Sequence, residues 1–287
     1  MKVGLVVLAS NENLYLRDFV EYYKNLGIDQ IILGDNSPKD GDYPQLVIGD
    51  YIDSGFVKYI NYRGYNENNW QIDFYNKTVN AHKKDFDWIA VFDVDEYLTF
   101  NDKNIHTIKE FLESQDFSRF GHIKINWRVY NDNGKLYYEN KPVIERFTNP
   151  SPINFLNTWV SNPFPENSTT KPIVNCSMDE IIFKSPHVVH TKIQNMTIAA
   201  CNPSGEMVNF QSGGMTMDYR VAQLNHYQSL SISEFLYRRL SRNGGTKLPD
   251  GKRGGVELML KVFWGCNEKT EEKQRIIDNF LKNINNN

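Results

Sequence analysis

Cysteine is scarce in this chain: Cys176, Cys201 and Cys266 are the three in 287 residues. An odd count at wide spacing argues against a disulfide framework, and no pair has the spacing of a structural zinc site. A reducing compartment fits that usage. Long apolar runs are missing as well. The stretch "VGLVVLA" near the start has seven residues, whereas a membrane span needs about 20 and a signal peptide needs a longer core and a cleavage site. It reads as a first buried strand, and a cytoplasmic chain is expected. Neither sign of charge dominates: 32 Lys and Arg stand against 35 Asp and Glu, a net charge of -3. The intermixed signs exclude the basic footprint of a nucleic-acid binder. No internal repeat and no flexible linker interrupts the chain. The hydrophobic fraction is 40%, ample for a sizeable core at this length.

Strand-like and helix-like patterns alternate through the first hundred residues. "KVGLVVLAS" reads as a strand, and "NLYLRDFVEYYKNLG" as a helix with Leu16, Phe19, Val20, Tyr23 and Leu26 on one face and Gly27 as its stop. "DQIILGDNS" is a second strand, "YPQLVIGDYIDSG" a short helix, "FVKYINY" a third strand, "NWQIDFYNKTVNAHKKD" a helix and "WIAVFDVD" a fourth strand. Such alternation predicts a mostly parallel sheet with helices on its faces, with ligands beyond the carboxyl ends of its strands. After residue 100 the pattern changes. "FGHIKINWRVY" and "PVIERF" read as strands around an "NDNG" turn, "IIFKSPHVVHTK" is strand-like, and the proline-rich stretch from 149 to 170 and residues 195 to 217 read as loops. Ser231 and Glu234 have capping-box spacing at the start of a helix, and "EEKQRIIDNFLKNI" is a final amphipathic helix.

The fourth strand ends in acid. In "DWIAVFDVDEYLTF" the carboxylates Asp93, Asp95 and Glu96 follow a buried run. A hard cation explains them: an extended D-x-D aims two carboxylates at one Mg²⁺ or Mn²⁺, which takes oxygen ligands and completes its shell with substrate phosphate. Glu96 has a plainer use, a hydrogen bond to backbone within the turn.

"FDVDEYL" resembles the D-x-D segment of GT-A-fold glycosyltransferases, particularly the family-2-like and family-92-like enzymes. "SNENLYLRDFVEYYKNLGIDQIILGDNS", "GFVKYINY", "WQIDFYNKTV", "INWRVYNDNG", "VIERF" and "LNHYQSLSISEFLYRR" resemble further segments of that group in the same order, over roughly residues 3 to 242. The resemblance implies a single GT-A domain over 1–287, with a nucleotide-sugar half (1–100), an acceptor half (101–228) and a C-terminal helical region (229–287). It implies metal-dependent, inverting transfer of a sugar from a nucleotide-diphosphate donor, UDP first, to a glycan or lipid-linked glycan in surface polysaccharide or lipopolysaccharide synthesis. Peripheral association with the inner face of the membrane would suit such an acceptor.

By the same resemblance Asp93 meets ribose or metal, and Asp95 meets the metal at the diphosphate. Ser10, Asn11, Glu12, Asp35 and Asn36 hold the nucleoside, and Arg63, Gln71 and Asn76 lie where donor contacts fall. Helix capping and turn formation are the alternative uses of the first group. A third metal ligand comes from late in the chain: His226 in "LNHYQS" is preferred, with His190 as the alternative. Inverting transfer needs a base near the acceptor hydroxyl, and Asp132, Glu145 and Asp179 are the candidates. Trp127 and Trp159 either stack on sugars or pack. Arg238, Arg239, Arg242, Lys247, Lys252 and Arg253 either meet anionic ligands or form a solvated face.

Two rival classes are weighed. A D-x-D phosphatase carries its motif after the first strand, not the fourth. A non-catalytic carbohydrate- or nucleotide-binding protein has no need of both aspartates. A nucleotidyltransferase would need a glycine-rich phosphate loop, and "VVLASNENLY" has none.

Overall fold

The computed structural model describes residues 1–65, 69–155, 165–240 and 256–285. Its first hundred residues alternate as their periodicity predicts: β1 (Val3–Ala9), α1 (Asn13–Asn25), β2 (Gln30–Asp35), α2 (Gln45–Asp53), β3 (Val57–Asn61), α3 (Trp70–His82) and β4 (Trp88–Val91). β5 (Glu96–Phe100), α4 (Ile108–Glu113), β6 (His122–Val129), α5 (Val143–Arg146), β7 (Thr170–Asn175), β8 (Glu180–Ser185), β9 (Val188–Ile193) and β10 (Met196–Thr197) follow. The chain continues through β11 (Ala200–Cys201), β12 (Met207–Val208), β13 (Ala222–His226), α6 (Ile232–Leu240), α7 (Val256–Cys266) and α8 (Glu271–Asn285).

The main sheet runs β12-β11-β6-β7-β4-β1-β2-β3, and β8, β9 and β10 form a second, three-stranded sheet. β1 pairs in parallel with both β2 and β4, and β2 with β3. The carboxyl ends of these four strands therefore share one edge. β4 is where the pairing changes: its other neighbour, β7, is antiparallel, with Ala90 opposite Ile173. This register brings the amino end of β7 to the same edge as the carboxyl end of β4.

Two compact units divide the chain, residues 1–127 with 168–224 and residues 128–167 with 225–287. In the first, Val6, Ile32, Ile89, Val91 and Val174 of the sheet pack with Phe74, Tyr75 and Val79 of α3 and with Ile181, Phe183 and Val189 of the second sheet. Gly34 permits the close approach of α3 to β2: a Cβ there would lie 2.4 Å from the Phe74 ring and 2.8 Å from Leu8. Gly34→Ala should lower stability by about 1–3 kcal/mol, the usual cost of overpacking. A fall in urea midpoint at constant m value would show it, and an unchanged midpoint would mean that α3 re-seats freely. In the second unit Ile232, Phe235, Leu236, Phe263 and Ile277 form the core. The expected capping box is present: the Ser231 amide donates to Glu234 at 3.2 Å, and Ser231 Oγ accepts from the Glu234 amide at 3.4 Å.

Several local expectations change. "PVIERF" is not a strand but the single helical turn α5, because Pro142 starts it and its carbonyl accepts from the amides of Glu145 and Arg146. "IIFKSPHVVHTK" is two strands, β8 and β9, interrupted at Pro186 and His187. The stretch 195–217 carries the short strands β10, β11 and β12 rather than loop alone. β5, α4, β13 and α7 had no clear periodic signal. The first three are short, and α7 reads apolar on most of its faces.

Candidate functional site

The D-x-D sits in a tight turn between β4 and β5. The Glu96 amide donates to the Asp93 carbonyl at 3.0 Å, and the Asp93 amide donates back to Glu96 Oε2 at 2.8 Å. Glu96 thus closes the turn, as its plainer use predicted. It is fully buried, and its Oε1 accepts from Trp127 Nε1 at 2.7 Å. Trp127 is itself buried, so its indole serves this carboxylate.

The β4–β7 register brings in a residue that the sequence did not single out. Lys171, on β7, has a side chain with no solvent exposure, and its Nζ lies 2.7 Å from Asp93 Oδ2 and 3.5 Å from Glu96 Oε2. Burial lowers the ammonium's pKa, but Asp93 and Glu96 outweigh it and leave it raised, so the group stays charged. Burial pushes Glu96 well above the carboxylate range; Lys171 opposes this, and Asp93 and Asp95 add to it. The other Asp93 oxygen, Oδ1, accepts from Tyr75 OH at 3.2 Å, and that hydroxyl accepts from Gln71 Nε2 at 3.1 Å. Burial, with Asp93 next, raises the Tyr75 pKa, so the phenol remains a donor. A buried lysine beside three clustered acids could have been sought by asking which cation balances them. "TKPIVN" holds one lysine in an otherwise strand-like run.

The nucleoside candidates gather at the carboxyl ends of β1 and β2. Ser10 Oγ donates to the Asn36 carbonyl at 3.2 Å, and the Asn11 amide to Ser37 Oγ at 3.0 Å. Asn11 takes a left-handed φ of 53°, and its Oδ1 accepts from the Asp42 amide. Glu12 is buried at the start of α1, where its carbonyl accepts from the Tyr15 and Leu16 amides. Asp35 is fully buried and accepts from Tyr59 OH and Arg63 Nη1, each at 2.9 Å. Arg63 also donates to the carbonyls of Pro38, Gly41 and Asp42 and lies 4.1 Å from the Tyr43 ring centroid. It thereby orders the loop after β2. Asn36 Nδ2 ties that loop to Tyr62 and Tyr65. Of the α3 pair, Gln71 reaches the D-x-D through Tyr75. Asn76 spends both side-chain atoms on the Phe183 backbone, pinning β8 to α3.

The late candidates fall in both units. His226 ends β13, is buried, and belongs to the second unit. His190 lies on β9 in the first unit, edge-on to Phe210 at 5.3 Å, with its pKa lowered by burial and by Lys184 and Lys192. Asp132 is buried in an ion pair with Lys273 at 2.6 Å, and Glu145 is exposed on α5. Asp179 is exposed and accepts from the Gln194 amide at 2.7 Å. Arg238 is buried on α6. Trp159, Arg242, Lys247, Lys252, Arg253 and the side chain of Arg239 lie outside the described residues.

Among the described residues no group of three or more His, Cys, Asp and Glu side chains is arranged to hold a metal ion. The turn does suit a cation that arrives with a diphosphate, since Mg²⁺ is commonly held by one or two carboxylates plus substrate phosphates and water. Asp95 is half-buried in that turn.

A mixed sheet, parallel through its first half and closed at its fourth strand by a D-x-D turn, defines a class, the α/β proteins of GT-A type. The chain belongs to glycosyltransferase family 92, whose model matches residues 7–287. No match was found among curated proteins. Among solved structures, S. aureus TarS is similar at 14% identity and a TM-score of 0.33, over 62% of this chain and 29% of that one. TarS 1-349 in complex with UDP-GlcNAc is similar at 10% identity and a TM-score of 0.37, over 77% of this chain and 60% of that one. The mannosyltransferase PcManGT from Pyrobaculum calidifontis, in complex with GDP-Man and Mn²⁺, is similar at 9% identity and a TM-score of 0.32, over 44% and 36%. This chain thus spans less than two thirds of the length of each. Among the described residues no helix is long and apolar enough to cross a membrane.

Proposed function

We propose that the chain transfers a sugar, with inversion, from a nucleotide-diphosphate donor to a glycan or lipid-linked glycan acceptor, with UDP as the first nucleotide to test. The observation that carries this reading, beside family membership, is the D-x-D turn at the sheet edge where β1, β2, β3 and β4 all end. The loops after β1 and β2, braced by Asp35, Asn36 and Arg63, form the wall against which the nucleoside would rest. Asp95 would hold Mn²⁺ or Mg²⁺ together with the diphosphate. When bound, the cation would offset charge on the departing nucleotide diphosphate. Tyr75, Gln71 and Lys171 fix the Asp93 carboxylate, so the turn meets its ligand already shaped. Asp132, Glu145 and Asp179 remain the base candidates. Of these, Glu145 and Asp179 are exposed, whereas Asp132 would first have to leave Lys273. A surface polysaccharide or lipopolysaccharide acceptor, with peripheral contact at the inner membrane face, is carried by the family resemblance.

Calorimetric titration with UDP, with and without Mn²⁺, tests the reading. Binding that strengthens with Mn²⁺ is expected. Absence of UDP binding in both conditions would remove UDP as the donor nucleotide, and failure of other nucleoside diphosphates as well would remove the transferase reading.

A further inference from the structure

The inference concerns Lys171 and rests on the cation part of the function proposed above. Asp93 is engaged on both oxygens, by the Lys171 ammonium at 2.7 Å and by the Tyr75 hydroxyl at 3.2 Å. The ammonium has nowhere to go. Its side chain is fully buried, it is also paired with the fully buried Glu96, and the backbone of β7 holds it opposite the end of β4. Withdrawing it would strip the fully buried Glu96 and the partly exposed Asp93 of the cation they share, which is destabilising. A dication coordinated by Asp93 would lie within a few ångströms of that fixed positive charge, at a separation where like charges repel strongly.

We infer that Lys171 is a built-in cation that keeps Asp93 out of metal coordination, so that the protein alone has little affinity for Mn²⁺ or Mg²⁺ and gains it only with a nucleotide diphosphate. Asp95 and the diphosphate oxygens then supply the charged ligands. Lys171 is a positioning residue: it touches neither donor nor acceptor, and it decides the order in which metal and nucleotide are taken up. The same ammonium stabilises the turn in the metal-free protein, where three adjacent acids would otherwise repel one another.

The test is titration of the full chain with Mn²⁺ alone, followed by the electron paramagnetic resonance signal of free Mn²⁺, and then with UDP present. For the wild type, Mn²⁺ alone should bind at least about tenfold more weakly than Mn²⁺ with UDP. The double variant Lys171→Met/Glu96→Gln removes the ammonium, replaces the buried acid by a neutral amide of the same shape, and frees Asp93 Oδ2 from Lys171. It should bind Mn²⁺ alone about tenfold more tightly than the wild type. Lys171→Arg, which keeps the charge, should stay weak. A purely structural lysine would leave the affinity for Mn²⁺ alone unchanged in a folded variant.

Two results overturn the inference: a wild type that binds Mn²⁺ alone as tightly as with UDP, or a double variant, folded by circular dichroism, that binds it no more tightly than the wild type. If the double variant does not fold, Asp93→Asn decides: an Asp93 kept from the metal leaves the affinity for Mn²⁺ in the presence of UDP unchanged, and a fall of about tenfold or more overturns the inference. If UDP binds to neither protein, the UDP reading fails separately, and the comparison of Mn²⁺ alone between the two proteins still decides the role of Lys171.

Discussion

Asp95→Ala should lower sugar transfer by at least about 100-fold, because charge stabilisation by a held cation is worth several kcal/mol and each ~1.4 kcal/mol is a factor of ten. The fold should remain. Asp95 is half-buried in the turn after β4, not in the core, and its charge contributes to raising the pKa of the buried Glu96. Losing it relieves like-charge repulsion among Asp93, Asp95 and Glu96, so the thermal midpoint should hold or rise slightly. Release of nucleotide diphosphate from the donor, assayed beside a melting curve, reads both effects. Near-normal turnover in Asp95→Ala would place the cation elsewhere and sink the central assignment. A collapsed melting curve would instead make Asp95 a structural residue.

The largest stability effect is expected in the second unit. The Arg146 and Glu234 side chains are 1% and 2% exposed, and Arg146 Nη1 lies 2.9 Å from both Glu234 oxygens. Glu234 also closes the capping box of α6, so one carboxylate ties α5 to the helix it caps. Arg146→Met leaves that carboxylate buried beside Ser231 with no cation, and should cost about 3–5 kcal/mol, the range for breaking a buried pair from one side. Replacing both partners, Arg146→Met with Glu234→Leu, should recover much of the loss, although the capping contribution stays lost. Urea unfolding of the three proteins checks this. A loss below about 1 kcal/mol in Arg146→Met, the value of an exposed pair, would mean that water reaches Glu234.

The contrast between Glu145 and Arg146 shows where sequence stops being informative. "VIERF" supplies Glu145, one of the three base candidates. A single helical turn replaces the expected strand, with Glu145 exposed and Arg146 buried. Periodicity cannot distinguish a two-residue apolar run in a strand from one turn of helix. Pro142, which begins the turn, was the available cue. Asn76, on α3, bonds the Phe183 backbone with both side-chain atoms, a use that only the β8 contact reveals. The D-x-D is the opposite case. An apolar strand broken by three acids predicts a turn at the sheet edge, and the turn is present; the positive charge that the sequence suggests there is a metal ion, whereas the one the structure places beside Asp93 is the Lys171 ammonium.

What the sequence by itself determined is local: the alternation of β1 through β4, the capping box of Ser231 and Glu234, and the acidic end of the fourth strand. These follow from periodicities of two and 3.6 and from short-range hydrogen bonding, which neighbouring residues specify. Only the tertiary structure decided which positive charge answers the acids. Lys171 is 78 residues from Asp93 along the chain, and the two meet because β7 runs antiparallel to β4. That pairing places the start of one strand beside the end of the other, and a register of this kind is set by the packing of the whole sheet and is written in neither segment alone.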